Sequence, residues 1–425
     1  MKLNYKRTFF IGLAFLSISA FWQLYDSIIP LMLKNTFLLG ETLTGVIMAL
    51  DNILAIFMLP LFGALSDKTD TRFGKRTPFI VTGTVLAVIF MLLIPYADQA
   101  VNFTLFIIAL GITLIAMGTY RSPAVALMPD LTPKPLRSKA NAIINLMGAV
   151  GYIFALAVIK LLVKKEANPD YTLVFVLVAA LMVISVLILV LTIREKKLAA
   201  EMAEQTSYNM DDDKKDQEVK GGPLPKEVKK SLLFILASIF LWFTAYNAVT
   251  TAYSRYAGEV WGLKGGDFAD SLMIAGAAAI VSYIPIGFIA SAIGRKKTII
   301  IGIVMMSISY FCGFLFIKYS PLINLVFAFT GIGWSAINVN SYPMVVEMSR
   351  SGDVGKYTGY YYTFSMAAQI FTPIFSGFLL EKISYRILFP YAIVFSLLSL
   401  CTMLMVRHGD SRPPRKKIGL EQYDN

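Results

Sequence analysis

The chain has 425 residues, of which 56% are hydrophobic and 16% are charged. A soluble domain carries about a quarter charged residues and fewer apolar ones, so this composition excludes a cytosolic enzyme, a secreted disulfide scaffold and a nucleic-acid-binding protein. The net charge is +12, and in such an apolar chain the positions of the positive residues matter more than their sum. We predict a polytopic α-helical membrane protein.

Twelve long apolar segments follow one another along the chain, each close to or above the roughly 20 residues that span the hydrocarbon core. Segments longer than this are expected to tilt or kink. The predicted helices are 8–33, 43–65, 77–97, 101–127, 138–163, 170–194, 229–254, 268–293, 297–317, 320–343, 354–380 and 387–407.

Lys and Arg are distributed unevenly between the two sides of these predicted helices. If the N-terminus is cytoplasmic, the cytoplasmic segments hold 29 of the 39 basic residues, the opposite side holds nine, and Arg121 lies inside predicted helix 4. Because cytoplasmic loops carry the excess of basic residues, both termini are predicted to be cytoplasmic, in the cell membrane.

The longest polar stretch divides the chain into two sets of six predicted helices. We expect an N-terminal half at 1–194, a cytoplasmic linker at 195–228, a C-terminal half at 229–407 and a cytoplasmic tail at 408–425. Mixed charges followed by two glycines and a proline favour a solvated linker over a metal site in this stretch. Similar short motifs after predicted helices 2 and 8 indicate an internal duplication of the kind found in transporters.

Few residues are available for redox or metal chemistry. Cys312 and Cys401 lie inside apolar segments, so no disulfide framework is implied. His408 follows the last apolar segment, which excludes an intramembrane histidine relay and a histidine metal site. No catalytic triad or Gly-rich phosphate loop is evident either, and we expect no enzyme activity, no metal and no cofactor.

The loop after predicted helix 2 combines spaced glycines, an aspartate and basic residues. Glycine allows close helix approach, and an acidic residue at a helix end can pair with the basic cluster or with another helix terminus. We predict that these residues gate transport, the alternative being that a basic loop only orients the chain in the membrane. The candidates are Gly63, Asp67, Arg72, Gly74, Lys75 and Arg76.

This loop, the segment from Arg121 to Asn141 and the run from Gly331 to Asn338 resemble the major facilitator superfamily. The lengthened loop, which ends in a Pro-Phe pair, is similar to that of glycoside–cation symporters and sucrose-type proton symporters. The resemblance covers nearly the whole chain. It implies twelve helices in two six-helix halves, a sugar substrate and transport by alternating access.

The sequence departs from these relatives at informative places. Sodium-coupled glycoside symporters carry an acidic pair where this chain has Ala55 and Leu59, so a proton is expected as the coupling ion and sodium is less favoured. Plant sucrose symporters have an acidic residue in helix 4 near the position of Leu114, and this chain has none there. Helix 5 has Gly148 to Gly151 without the proline of drug–proton antiporters, which disfavours an exporter.

Two aspartates lie within the predicted membrane span. Asp26 lies 18 residues past the start of predicted helix 1, or about 27 Å along it at 1.5 Å per residue. Asp51 lies 8 residues from the outer end of predicted helix 2, at a similar depth. Two carboxylates at one depth repel, so we expect at least one to carry a proton near neutrality and both to serve cation coupling. The alternative is that they only form structural hydrogen bonds.

Arg121 lies in the inner half of predicted helix 4, nearer the cytoplasm than either aspartate. Its guanidinium can bind a sugar hydroxyl or a carboxylate. Equally, it can snorkel or pair with Asp130 or Glu347. Pairing with the aspartates is expected to need a rearrangement or a bound substrate.

Polar and aromatic residues at helical spacing indicate the substrate class. Sugars need hydrogen-bonding groups for their hydroxyls and flat apolar surfaces for their C–H faces, although interhelical hydrogen bonds and packing explain some of these residues without a ligand. The substrate-binding candidates are Trp22, Gln23, Asp26, Arg121, Asn141, Asn145, Trp242, Tyr246, Asn247, Trp334, Asn338, Tyr362 and Gln369.

The leading hypothesis is therefore a monomeric, proton-coupled importer of a disaccharide or glycoside. Protonation of Asp26 or Asp51 from outside would favour sugar binding, and release of both inside would reset the carrier. Two alternatives remain open, an exporter of lipophilic or drug-like compounds and a sugar receptor that transports nothing.

Overall fold

A computed structural model describes residues 3–132, 136–166, 168–200, 225–348 and 354–410, without the side chains of 137–139 and 354–356. These ranges contain twelve long α-helices, one short 3-10 turn and no β-strand. The helices are α1 Tyr5–Asn35, α2 Glu41–Lys68, α3 Thr77–Gln99, α4 Phe103–Asp130, α5 Arg137–Leu162, α6 Thr172–Thr192, α7 Lys226–Trp261, α8 Ala269–Ile293, α9 Arg295–Leu315, α10 Ile323–Val346, α11 Val354–Lys382 and α12 Leu388–Leu404.

The predicted all-helical membrane fold is confirmed. Eleven of the described helices are long and apolar enough to cross a membrane, α10 being the exception. Because twelve helices alternate in direction, α1 begins and α12 ends on the same side, which we call the termini side, opposite the far side. The predicted linker lies largely outside the described residues, since 201–224 are not described, and so does the tail from 411 onward.

Helix α7 is longer than hydropathy predicts. The apolar segment was expected to end at residue 254, but the helix continues to Trp261 and stops at Gly262, whose φ of 68° favours glycine. Tyr256 is 1% exposed, and Arg255, expected in a loop, is 6% exposed inside the helix. Packing of this last part of the helix compensates for its lower hydropathy.

The first six helices pack mainly among themselves, as do the last six. In the first half α1 packs against α5 and α3 against α4, while in the second half α10 packs against α8 and α9. The halves meet chiefly through α2 with α11 and α5 with α8. Small residues permit this approach, because a Cβ on Gly45 of α2 would lie 1.9 Å from the carbonyl oxygen of Pro373 in α11.

Gly45→Ala is therefore expected to destabilise the packing between the halves. The added methyl meets backbone that cannot rotate away, and overpacking of this kind costs roughly 1–3 kcal/mol. Gly111→Ala in α4 is the matched control, because a Cβ there meets nothing within 4 Å. Thermal unfolding of the purified variants checks the prediction. Equal melting temperatures for the two variants would contradict it.

Candidate functional site

A cavity of about 240 Å³ lies between the two halves. Its walls come from α1, α2 and α4 of the first half and from α7 and α11 of the second half. We call it the central cavity. Its lining residues are Trp22, Asp26, Met48, Asp51, Asn52, Arg121, Asn247, Thr251, Gln369 and Pro373.

Three ionisable side chains face this cavity. Asp26 and Asp51 are close enough for their charges to interact, and Arg121 interacts electrostatically with Asp51. The Arg121 guanidinium also lies over the Trp22 ring, 5.6 Å from its centroid. A cation in this position is attracted by the ring. The cavity therefore brings two acidic side chains and one basic side chain together, each of them partly exposed.

The two carboxylates differ in their partners. Asn52 Nδ2 donates a hydrogen bond to Asp51 Oδ1 at 2.7 Å, and the charge of Arg121 lies nearby. Within the described ranges, Asp26 has neither a hydrogen bond nor a cation beside it. Both effects at Asp51 favour its ionised form, whereas nothing comparable stabilises a charge on Asp26.

Two hydrogen-bond donors in the cavity wall are unused. Trp22 Nε1 on α1 and Asn247 Nδ2 on α7 are buried and have no partner among the described residues. An unpaired buried donor is costly, and native structures keep few of them. These donors come from opposite halves, so a ligand that offers oxygen acceptors can bridge the halves by binding both.

The structure brings six of the predicted site residues together in this cavity. Four of the remaining candidates are held elsewhere by packing. Trp242 is 1% exposed within the hydrophobic core, and Tyr246 stacks on Trp334 with ring centroids 3.8 Å apart. Gln23 is buried and donates a hydrogen bond to Ser27 Oγ at 2.7 Å. The six that line the cavity are Trp22, Asp26, Asp51, Arg121, Asn247 and Gln369.

The other four candidates are exposed and lie outside the cavity lining. Asn141 and Asn145 are exposed on α5, and Asn338 on α10. Tyr362 is 55% exposed on α11, although it interacts electrostatically with Arg121. Helical spacing in the sequence did not distinguish these exposed positions from the positions that line the central cavity.

Sequence reasoning missed four lining residues. On α7 it selected a face containing Trp242 and Tyr246, whereas the cavity is lined by Asn247 and Thr251, the adjacent i, i+4 pair. Asn52, a polar residue beside Asp51 in an apolar helix, was an available signal. Met48 and Pro373, the other two, carry no polar group that could have marked them.

Neither alternative partner of Arg121 is available to it. Asp130 accepts a hydrogen bond from Arg76 Nε at 2.9 Å and also pairs with Lys75, and Glu347 pairs with Arg295. Arg121 and Asp51 line one cavity and interact electrostatically, but no ion pair joins them in the described part of the chain. That their pairing needs a rearrangement or a bound substrate stays a prediction.

On the termini side, the buried side chain of Arg76 joins α2, α3 and α4. Its guanidinium donates to Asp67, Ser66 and Asp130. Glu195, after α6, accepts from the backbone N–H groups of residues 75–77. The predicted gating residues Gly63, Gly74 and Lys75 belong to this Arg76 cluster as well.

Arg72 is the exception among the gating candidates. It is exposed, and its guanidinium lies over the Phe73 ring, 4.7 Å from the centroid. The described partners of Arg76 all belong to the first half. In this conformation the cluster therefore binds helices of one half together, and gating by it stays a prediction.

We expect Arg76→Ala to lower the free energy of unfolding by about 2 kcal/mol, because Ser66 and the partly exposed Asp130 lose the hydrogen bonds of a buried, charged donor. Arg72→Ala in the same loop removes an equal charge from an exposed position and should stay within about 0.5 kcal/mol of the parent protein. Thermal denaturation in detergent compares the two. Similar melting temperatures would rule out a structural role for the cluster.

On the far side, charged residues connect the two halves directly. Arg255 Nε on α7 lies 2.8 Å from Glu41 Oε2 on α2, and both side chains are 5% exposed. Tyr385 also donates to Glu41, and Lys34 Nζ of α1 lies 2.6 Å from Glu259 Oε1 of α7. These contacts join the two halves on the far side of the central cavity.

A second ionic contact between the halves lies at the loop between α7 and α8. Asp267 accepts from Lys160 Nζ at 2.9 Å and from Lys165 Nζ at 2.6 Å. Partial burial raises the pKa of Asp267, but the two lysines outweigh this and hold it below the ordinary value. Its stabilising effect is thus present above the ordinary aspartate pKa and is lost only as pH falls through the lowered one. This contact does not respond to pH near neutrality.

Comparisons with known proteins agree with this architecture. A family model described as Major Facilitator Superfamily matches residues 11–290 and 270–423. The sucrose transport protein SUC3 of Arabidopsis thaliana is 28% identical over 120 residues, which cover 24% of this chain and 20% of that protein. The aligned segment thus spans about a fifth of that relative.

Two solved structures share the fold. The xylose transporter XylE from E. coli, in an inward open conformation, has a TM-score of 0.66 at 16% identity and covers 92% of this chain and 94% of its own. The nucleoside transporter NupG has a TM-score of 0.68 at 15% identity, with 94% and 100% covered. At these identities the likeness concerns the fold alone.

Proposed function

Because this chain belongs to the major facilitator superfamily, it is a membrane transporter rather than an enzyme, and we propose that it imports a disaccharide or glycoside together with protons. The observation that carries the proposal is that Asp26 and Asp51 face one cavity between the two halves, with Arg121 beside them. Ionisable residues at membrane depth are costly and mark ion or substrate pathways.

The two aspartates take different roles in this proposal. Asn52 donates a hydrogen bond to Asp51 and the charge of Arg121 lies near it, and both contacts favour the carboxylate form of Asp51. Asp26 has no such partner, so its protonation removes a charge from the cavity and reduces its repulsion with Asp51. Asp26 is thus the main proton carrier, and Asp51 positions Arg121.

The sugar binds between the halves. Its hydroxyl oxygens accept from Trp22 Nε1 and Asn247 Nδ2, the buried donors that lack partners in the described part of the chain. Gln369 and Arg121 add further donors, and Met48 supplies an apolar surface for C–H groups. A neutral polyol suits this wall because it satisfies donors without adding charge.

The closed far side sets the direction of release. Ion pairs hold the halves together there, and in this proposal the cavity exchanges with the termini side in this conformation. If the termini are cytoplasmic, as the distribution of basic residues predicts, this is the inward-facing state. Protonation and sugar binding in the opposite, outward-facing state then drive import.

Uptake of labelled sucrose into proteoliposomes tests the function. We expect accumulation above the external concentration under an inward proton gradient, no further gain from sodium, and loss of accumulation when a protonophore collapses the gradient. Labelled uridine in parallel vesicles tests nucleosides as the substrate. Gradient-driven uptake of uridine without sucrose, or sucrose uptake that requires sodium, would contradict the proposal.

A further inference from the structure

A second cavity, of about 310 Å³, lies at the far-side closure. We call it the far-side pocket. Its walls come from α1 and the loop after α5 in the first half, and from α7 and the loop after α7 in the second half. Among its lining residues are Leu31, Lys34, Tyr171, Ser254, Arg255 and Phe268.

The far-side pocket and the central cavity lie in series along the same two helices. On α7, Thr251 lines the central cavity, and Ser254, three residues or about 4.5 Å further along the axis, lines the pocket. On α1, Asp26 lines the cavity, and Leu31 lines the pocket. A solute that enters from the far side must pass the pocket before it reaches the central cavity.

Buried hydrogen-bonding atoms in the far-side pocket are unused. Arg255 is 6% exposed and Ser254 is 5% exposed. Arg255 Nε approaches Glu41, but Arg255 Nη1 and Ser254 Oγ have no hydrogen-bond partner among the described residues. A guanidinium nitrogen that is buried and unpaired is costly, so a ligand oxygen or a water is expected there.

Positive and negative side chains around the pocket balance each other, and this balance favours an uncharged ligand. Lys34 pairs with Glu259, and Arg255 pairs with Glu41. Lys165 pairs with an aspartate of the loop after α7. The two other charged lining residues, Lys264 and Glu166, are exposed and carry opposite charges. The pocket has no excess charge to hold an anion or a cation. It has hydrogen-bonding groups beside apolar walls such as Leu31 and Phe268, which suits an uncharged polyhydroxylated molecule.

We propose that the far-side pocket is an outer subsite for the transported sugar. This inference rests on the proposed function. The sugar's oxygens accept from Arg255 Nη1 and Ser254, while its C–H faces pack on the apolar wall. Because the pocket is built from both halves, a sugar bound there contacts α1 and α7 together, in front of the ion pair between Arg255 and Glu41 that closes the path.

The experiment fills the far-side pocket with a larger side chain and measures the number of sugar molecules bound per chain. Gly258 lines the pocket, and a Cβ there meets only the carbonyl oxygen of Leu263, at 3.7 Å, so Gly258→Leu can be accommodated. Gly111→Leu is the matched control, since Gly111 lies in α4, has nothing within 4 Å of its Cβ position and lines neither cavity. Equilibrium dialysis of labelled sucrose against the full chain in nanodiscs measures the stoichiometry.

We expect two sucrose molecules per chain for the parent protein and for Gly111→Leu, and one for Gly258→Leu. Gly258→Ala, which adds one methyl, should keep both sites and weaken the outer one. If the parent protein binds one sucrose and Gly258→Leu binds it with the same Kd, the pocket holds only water and the subsite is refuted while the transport function stands. If the parent protein neither binds nor accumulates sucrose, the proposed function and the subsite both fail.

Discussion

Asp26→Asn is expected to abolish proton-driven accumulation of sugar. If one proton accompanies each sugar, a gradient of one pH unit supplies about 1.4 kcal/mol, enough for roughly tenfold accumulation. Asparagine keeps the size of the side chain but cannot bind and release a proton. We therefore expect the accumulation ratio to fall from about ten to about one. Labelled sucrose in proteoliposomes with an imposed gradient measures it.

The matched variant is Asp51→Asn. It removes the carboxylate that accepts from Asn52 and interacts electrostatically with Arg121, so it should shift Arg121 and weaken sugar binding. Counterflow, which needs sugar binding but no net proton movement, separates the two effects. We expect Asp26→Asn to retain counterflow and Asp51→Asn to lose much of it. Proton-driven accumulation by both variants would refute the coupling role.

The second large effect is expected at the far-side ion pair. Arg255→Gln removes the nearest cation from the buried Glu41 and leaves only Lys34, 4.0 Å away, and removing one partner of a buried ion pair costs about 3–5 kcal/mol. The cost falls on the far-side-closed conformation, in which these side chains meet across the halves. The equilibrium should therefore shift towards far-side opening by a factor of at least about 100.

Labelling of a cysteine that replaces Thr251 measures this shift, because Thr251 lines the central cavity, which a reagent from the far side reaches only after passing the ion pair. Cys312 and Cys401 are first replaced by serine, and a membrane-impermeant maleimide is added from the far side. Labelling should be much faster in Arg255→Gln. Lys382→Gln is the control, because its pair with Glu381 on α11 is exposed and worth little. The combined Glu41→Gln and Arg255→Gln protein should return towards slow labelling, and unchanged labelling in all variants would contradict a closing role.

Hydropathy was enough to predict the twelve helices, but it misplaced the end of α7. The hydropathy of an apolar segment reflects its free energy of transfer into lipid. The last turns of α7 are instead stabilised by contacts with other parts of the protein. Trp261, for example, donates from Nε1 to the carbonyl oxygen of Phe316 at 3.0 Å. No local pattern encodes that contact, since its partner lies more than fifty residues further along the chain, just after the end of α9.

The candidate site was predictable in part for the same reason. A charged residue within an apolar segment is easy to recognise in the sequence, and Asp26, Asp51 and Arg121 do line one cavity. Helical spacing left the inward face of α7 ambiguous, because Trp242 and Asn247 are both plausible from periodicity. Packing decided between them by burying the tryptophan in the core and leaving the asparagine on the cavity.

Composition and the order of apolar segments alone determined that this chain is a helical membrane protein, because the free energy of transfer into lipid depends on local sequence. The tertiary structure decided which polar residues meet. Glu41 and Arg255 are more than two hundred positions apart, and they became partners only when the two halves closed on the far side. Long-range pairing depends on how helices pack against each other, which the residues of a single helix do not specify.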